Sequence, residues 1–98
     1  MIEKTPMEVE EMLKGNDPIH IIDVREVDEV KKGKIPGAIN IPLRLLEAKM
    51  PDLDKKTEYT IVCLSGGRSA SATKFLESFG FNVVNMTGGM MSWAGPTE

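Results

Sequence analysis

Two short runs of apolar, largely β-branched residues, Ile19 to Val24 and Tyr59 to Cys63, constrain this chain more than any other feature. Short apolar runs bounded by turn residues read as strands, and strands apolar on both faces need cover on both sides. Two further segments join them, Ala38 to Ile41 as a short buried strand and Phe81 to Asn85 as another strand. Ile2 to Lys4 adds a short edge strand.

Helical patterns separate these strands. Thr5-Pro6-Met7-Glu8 is a helix start, with Thr5 as the cap, Pro6 at the first helical position and Glu8 closing a capping box. Val9, Met12 and Leu13 then share one face, and Gly15 ends the helix. A short charged helical turn follows from Glu26 to about Lys32, stopped by Gly33, and Ile35-Pro36-Gly37 is a turn. Pro42 starts a helix through Leu43, Leu46 and Lys49 that Pro51 ends. The strongest helix spans Ser69 to Phe79, where Ala72, Phe75, Leu76 and Phe79 form one apolar stripe and Gly80 closes it. Gly88-Gly89 turns the chain before a last helical turn from Met90 to Ala94. Strands alternating with helices predict an α/β fold, a parallel sheet covered by helices on both faces. At 98 residues, with no repeat and no linker, residues 1–98 read as one domain.

A net charge of -3 argues against a general nucleic-acid-binding face, which needs a basic surplus. No apolar run approaches the roughly 18 residues of a membrane span, so no membrane partner is expected. The start, Met1-Ile2-Glu3-Lys4-Thr5, lacks the basic-then-apolar order of a signal peptide, so the expected location is the cytoplasm. The lone cysteine allows no internal disulfide and no cysteine-based zinc site, and no metal or organic cofactor is expected. Cys63 is therefore either a small core residue or a reactive thiol.

Its position favours the second. Cys63 ends a strand, and ligands of open α/β sheets bind beyond the carboxyl ends of strands. Leu64-Ser65-Gly66-Gly67-Arg68-Ser69 follows, and its small residues let the backbone curl so that amides face inward as an anion nest. The following helix adds its positive dipole end, and Arg68 adds a full charge that at a helix start calls for an anionic ligand. These features favour a thiolate, the nucleophilic form of cysteine, without any histidine. His20, the only histidine, begins a strand at the end remote from the expected site and reads as structural.

The segment Cys63-Leu64-Ser65-Gly66-Gly67-Arg68-Ser69 resembles the active loop of the rhodanese superfamily, Cys-x-x-Gly-x-Arg-Ser. Asp23-Val24-Arg25-Glu26, Gly33-Lys34-Ile35-Pro36-Gly37-Ala38, and Gly88-Gly89-Met90 with Trp93 resemble three further segments of that family, in its order and spacing. The resemblance covers nearly the whole chain. It implies three layers, α/β/α, around a five-stranded parallel sheet. It also implies a sulfurtransferase in which Cys63 takes sulfur from thiosulfate, a polysulfide or another persulfide. The resulting persulfide, cradled by the amides of Leu64 to Ser69, would pass to a thiol, to cyanide or to an acceptor protein. Lys34 replaces the family's usual histidine at a position read as structural. Leu64 replaces an often basic residue, which lowers the positive charge available to dianionic thiosulfate.

Two other readings are kept open. One is a sulfur-carrier or interaction module with a docked protein acceptor. The other is a phosphatase or arsenate reductase, whose loop has five residues between cysteine and arginine where this chain has four, Leu64 to Gly67. Asp23 either orients the loop, pairs with an arginine or caps a helix. Arg25 and Glu26 read as a structural ion pair, Met90, Met91 and Trp93 as an apolar wall, and Lys31, Lys32 and Lys34 as a solvated basic patch.

Overall fold

The structure, a computed structural model, describes residues 1–16 and 18–98. Strands β1 (Ile2–Lys4), β2 (His20–Asp23), β3 (Ile39–Asn40), β4 (Glu58–Val62) and β5 (Asn82–Met86) form one five-stranded sheet in the order β1-β5-β4-β2-β3. Every pairing is parallel. The helices are α1 (Pro6–Lys14), α2 (Val27–Val30), α3 (Leu46–Lys49) and α4 (Gly67–Ser78).

Side-chain alternation divides the interior into two cores, one on each face of the sheet. Ile22, Tyr59, Ile61, Cys63 and Val83 pack with Leu46 of α3 and with Ala72 and Leu76 of α4. Ile21, Val62 and Met86 point the other way and pack with Val9 of α1, Ile35 and Ala38. Strands buried on both faces are why β2 and β4 read as continuous apolar runs. The predicted start of α1 holds in detail: Thr5 Oγ1 accepts the Glu8 amide at 3.1 Å and Glu8 returns a bond to the Thr5 amide at 2.9 Å.

Four readings need correction. Helix α4 begins at Gly67, two residues before Ser69, because Gly66 takes φ 107° and caps it. Its buried face is Ser69, Ala72, Thr73 and Leu76, while Phe79 lies beyond the last turn, 46% exposed. Polar residues enter this core because the Thr73 hydroxyl donates to the Ser69 carbonyl at 2.7 Å, leaving only a methyl to face the sheet. The helix expected from Pro42 to Pro51 is broken up: a 3-10 turn at Leu43–Leu45 precedes α3, which ends at Lys49, and Pro51 sits in the first turn of a second 3-10 turn, Met50–Asp52, where its missing N–H has no partner to lose. Strand β3 is an outer strand pairing only with β2, so Ile39 is half-exposed and burial falls on Ala38 and Ile41 beside it.

Leu76 is fully buried between α4 and the sheet. Leu76→Ala is expected to cost about 2–5 kcal/mol of stability through lost burial and a residual cavity. Equilibrium urea unfolding measures it as a lower midpoint at unchanged slope.

Candidate active site

Strands β2 and β4 are neighbours, with Asp23 in register with Val62 at their carboxyl ends. The chain leaves β2 towards β3 on one side and leaves β4 towards β5 on the other. The crevice between two connections that part in this way is where open α/β sheets bind ligands. Cys63 stands at its edge, immediately after β4.

The Cys63 side chain is 1% exposed, so the unmodified thiol is sheltered under its own loop and not the exposed group a reactive thiol suggests. The Gly66 amide donates to Sγ at 3.0 Å, Sγ–H donates to Ser69 Oγ at 3.3 Å, and the Ser69 hydroxyl donates to the Gly66 carbonyl at 3.1 Å. Burial pushes the thiol pKa up. The Ser69 hydroxyl and the amides of Ser69, Gly66 and Ser65 outweigh it together and hold the thiol below its ordinary value. Ser69 Oγ is placed to reverse its bond and donate to a thiolate.

The loop keeps its curl because another segment leans on it. Gly66 and Gly88 approach so closely that a Cβ on Gly66 would lie 3.2 Å from the Gly88 amide nitrogen. A Cβ on Gly89, which has φ 60°, would overlap the carbonyls of Cys63 and Leu64. Those carbonyls accept the amides of Met90 at 2.8 Å and Met91 at 2.9 Å. The Gly88-Gly89 pair is thus a close-approach site as well as a turn.

Both arginines of the site are already paired. Asp23 is fully buried and takes the Arg25 amide, Nε and Nη2 at 2.8–3.1 Å. Arg25 Nη2 also donates to the Gly33 carbonyl and Nη1 to that of Glu29, so this one side chain ties β2 to α2 and to the turn after it. The Arg25–Glu26 pair expected from sequence is not formed. Asp23 is Arg25's partner, and Glu26 pairs with Arg44 instead. Arg68, expected to face an anionic ligand, makes a two-pronged bond to Glu29 at 2.6 and 2.7 Å across the crevice. The carboxylate that offsets a cation at this helix start is one the protein supplies itself.

Glu29 was invisible to the sequence reading as a site residue. The signal available was Glu26-x-x-Glu29 after a strand, a capping pattern that the structure confirms with Glu29 Oε1 accepting the Glu26 amide at 3.0 Å. The Arg68 hydrogen bonds and that amide hold the Glu29 carboxyl down at about 2. Of the predicted basic patch, Lys31 and Lys32 are exposed, whereas Lys34 pairs with Glu98. His20 is exposed and packs edge-on against Tyr59, far along the strand from Cys63.

Beside the loop lies a cleft of about 330 Å³ lined by Leu64, Met90, Met91 and Trp93, with Lys32, Glu29 and Thr97 among the residues around it. The expected apolar wall is therefore real, and Leu64 joins it. Among the described residues no group of His, Cys, Asp and Glu is arranged to hold a metal, and no helix is long and apolar enough to cross a membrane.

Fold and site together define an α/β protein with one thiol, held below its ordinary pKa, at the carboxyl edge of a parallel sheet. The chain belongs to the rhodanese-like domain family, whose profile matches residues 5–96. YtwF of Bacillus subtilis, provisionally named a sulfurtransferase, is 42% identical over 90 residues, covering 92% of this chain and 87% of that protein. An Allochromatium vinosum protein named sulfurtransferase is 32% identical over 83 residues, covering 84% of this chain and 78% of its own. The crystal structure of a rhodanese-like domain protein from Staphylococcus aureus matches at a TM-score of 0.96 and 35% identity, covering 100% of this chain and 97% of that one.

Two outcomes follow from the ion pairs. Asp23→Asn leaves the buried Arg25 without its counter-charge and is expected to cost about 3–5 kcal/mol in chemical unfolding. Glu29 binds its proton more weakly when folded, with a pKa of about 2 against 4.5. Its stabilisation is complete above the unfolded value and is lost as pH falls towards 2. Glu29→Gln is thus less stable than wild type near neutral pH, and thermal melts of the two converge towards pH 2.

Proposed function

We propose that residues 1–98 act as one rhodanese-like domain that transfers sulfane sulfur through a persulfide on Cys63. The observation that carries this is the bonding of Sγ: a backbone amide at 3.0 Å and a hydroxyl at 3.3 Å converge on a sulfur at the end of a strand. Loading is attack by the Cys63 thiolate on the outer sulfur of a donor such as thiosulfate, a polysulfide or another persulfide. A bond forms between Sγ and that sulfur, the donor's S–S bond breaks, and its electron pair leaves on the remainder. Unloading is attack on the outer sulfur by a thiol, cyanide or a protein acceptor. That sulfur leaves with the acceptor, and the electron pair returns to Sγ. The amides of Ser65, Gly66 and Ser69 act on Sγ, and in this reading the loop amides from Leu64 to Ser69 cradle the added sulfur and favour negative charge there. We place this chemistry in the cytoplasm, where a lone thiol stays reduced.

A phosphatase reading has less support. The loop is one residue shorter than that chemistry uses, and both nearby carboxylates, Asp23 and Glu29, are engaged by arginines and poorly placed to protonate a leaving oxygen.

Intact-mass measurement tests the proposal. Incubation with a sulfur donor is expected to add about 32 Da, removable by cyanide and absent in Cys63→Ser. Equal transfer by Cys63→Ser would rule the proposal out. Ser69→Ala removes a bond to the thiolate and is expected to raise the Cys63 pKa, read from thiolate ultraviolet absorbance against pH.

A further inference from the structure

The charges around Cys63 cancel in pairs. Both terminal nitrogens of Arg68 are held by Glu29, and Arg25 is consumed by Asp23 and two carbonyls. The residue after the cysteine is the neutral Leu64, 40% exposed at the mouth. Of the cleft-lining cations, Lys32 alone is without a carboxylate within 4.0 Å among the described residues, and it is exposed to solvent screening. The loop amides suit one negative charge on sulfur. Apart from the N-terminal end of α4, only the solvent-screened Lys32 is left to offset a second.

The cleft wall points the same way. Leu64, Met90, Met91 and Trp93 offer a carbon surface, with Met91 72% exposed. Its volume of about 330 Å³ lies at the lower end of the range for small-molecule sites, about 300–1,000 Å³. Such a wall fits the organic portion of a donor and gives nothing to a departing sulfite dianion, which has only oxygens to bond.

We infer that the donor this site is built for is a small organic persulfide of single net negative charge, and that thiosulfate is a poor one. The inference rests on the sulfur-transfer reading above. In the step, the Cys63 thiolate attacks the outer sulfur of R–S–SH and a Sγ–S bond forms. The donor's S–S bond breaks, and its electron pair leaves as R–S⁻. The proton stays on the transferred sulfur, and no further oxidant or reductant takes part.

The test is the rate at which Cys63 gains sulfur, followed by intact mass, with cysteine persulfide or thiosulfate as donor. Cysteine persulfide is expected to load the wild-type protein at least about tenfold faster at equal concentration. Glu29→Gln frees Arg68, and Leu64→Lys adds a cation at an exposed position that leaves the fold intact. Each is expected to narrow the preference about tenfold at low salt, with the effect shrinking as salt is added. Thiosulfate loading the wild type as fast as the persulfide, or a preference unmoved by Leu64→Lys, would overturn the inference and leave sulfur transfer standing. Failure of both donors to add sulfur to Cys63 would overturn sulfur transfer itself.

Discussion

The Asp23 carboxylate lies fully buried at the end of β2, and Arg25 is what makes its charge tolerable there. A lone buried charge costs several kcal/mol, whereas a pair with every remaining donor satisfied is close to neutral. Arg25 has those partners because its fork also reaches the carbonyls of Glu29 and Gly33. Those bonds fix where α2 sits, and α2 in turn fixes Glu29, the carboxylate that receives Arg68. The placement of the first turn of α4, and so of the loop over Cys63, thus depends on a chain of polar contacts that begins at Asp23.

The loop has a second support of a different kind. Gly88 and Gly89 let one backbone lie directly on another, and the Met90 and Met91 amides then bond the carbonyls of Cys63 and Leu64. With its carbonyls engaged outward, the loop is free to aim amides inward at the sulfur. The sheet provides the position, the glycines provide the curvature, and the ion pairs provide the walls.

Much of this is legible in the sequence, for identifiable reasons. Strands β2 and β4 declare themselves because burial on both faces leaves few polar positions to blur them. The position of Cys63 beyond a strand and before a helix follows from the apolar run and the small residues after it. Pairings across space are what a linear reading misses. Arg68 and Glu29 are far apart in the chain, and only the crevice brings them together. The buried face of α4 is misread because Ser69 and Thr73 are polar by composition yet satisfied internally, while Phe79 is apolar yet falls beyond the last turn. The shelter of the thiol is likewise a matter of loop curvature, which residue types permit without dictating.

Helix α2 buries none of its four residues. One wall of the cleft is therefore attached to the protein by hydrogen bonds and ion pairs, with no share of either apolar core. The partly exposed Arg68–Glu29 contact weakens with ionic strength, while the buried Asp23–Arg25 pair and the packed strands beneath are screened far less. The domain is in this sense built of two materials: a hydrophobic slab, and a flap fastened by polar contacts, the kind of element that opens locally at the lower end of a protein's stability range. The ionic composition of the surroundings reaches the second through Arg68 and Glu29.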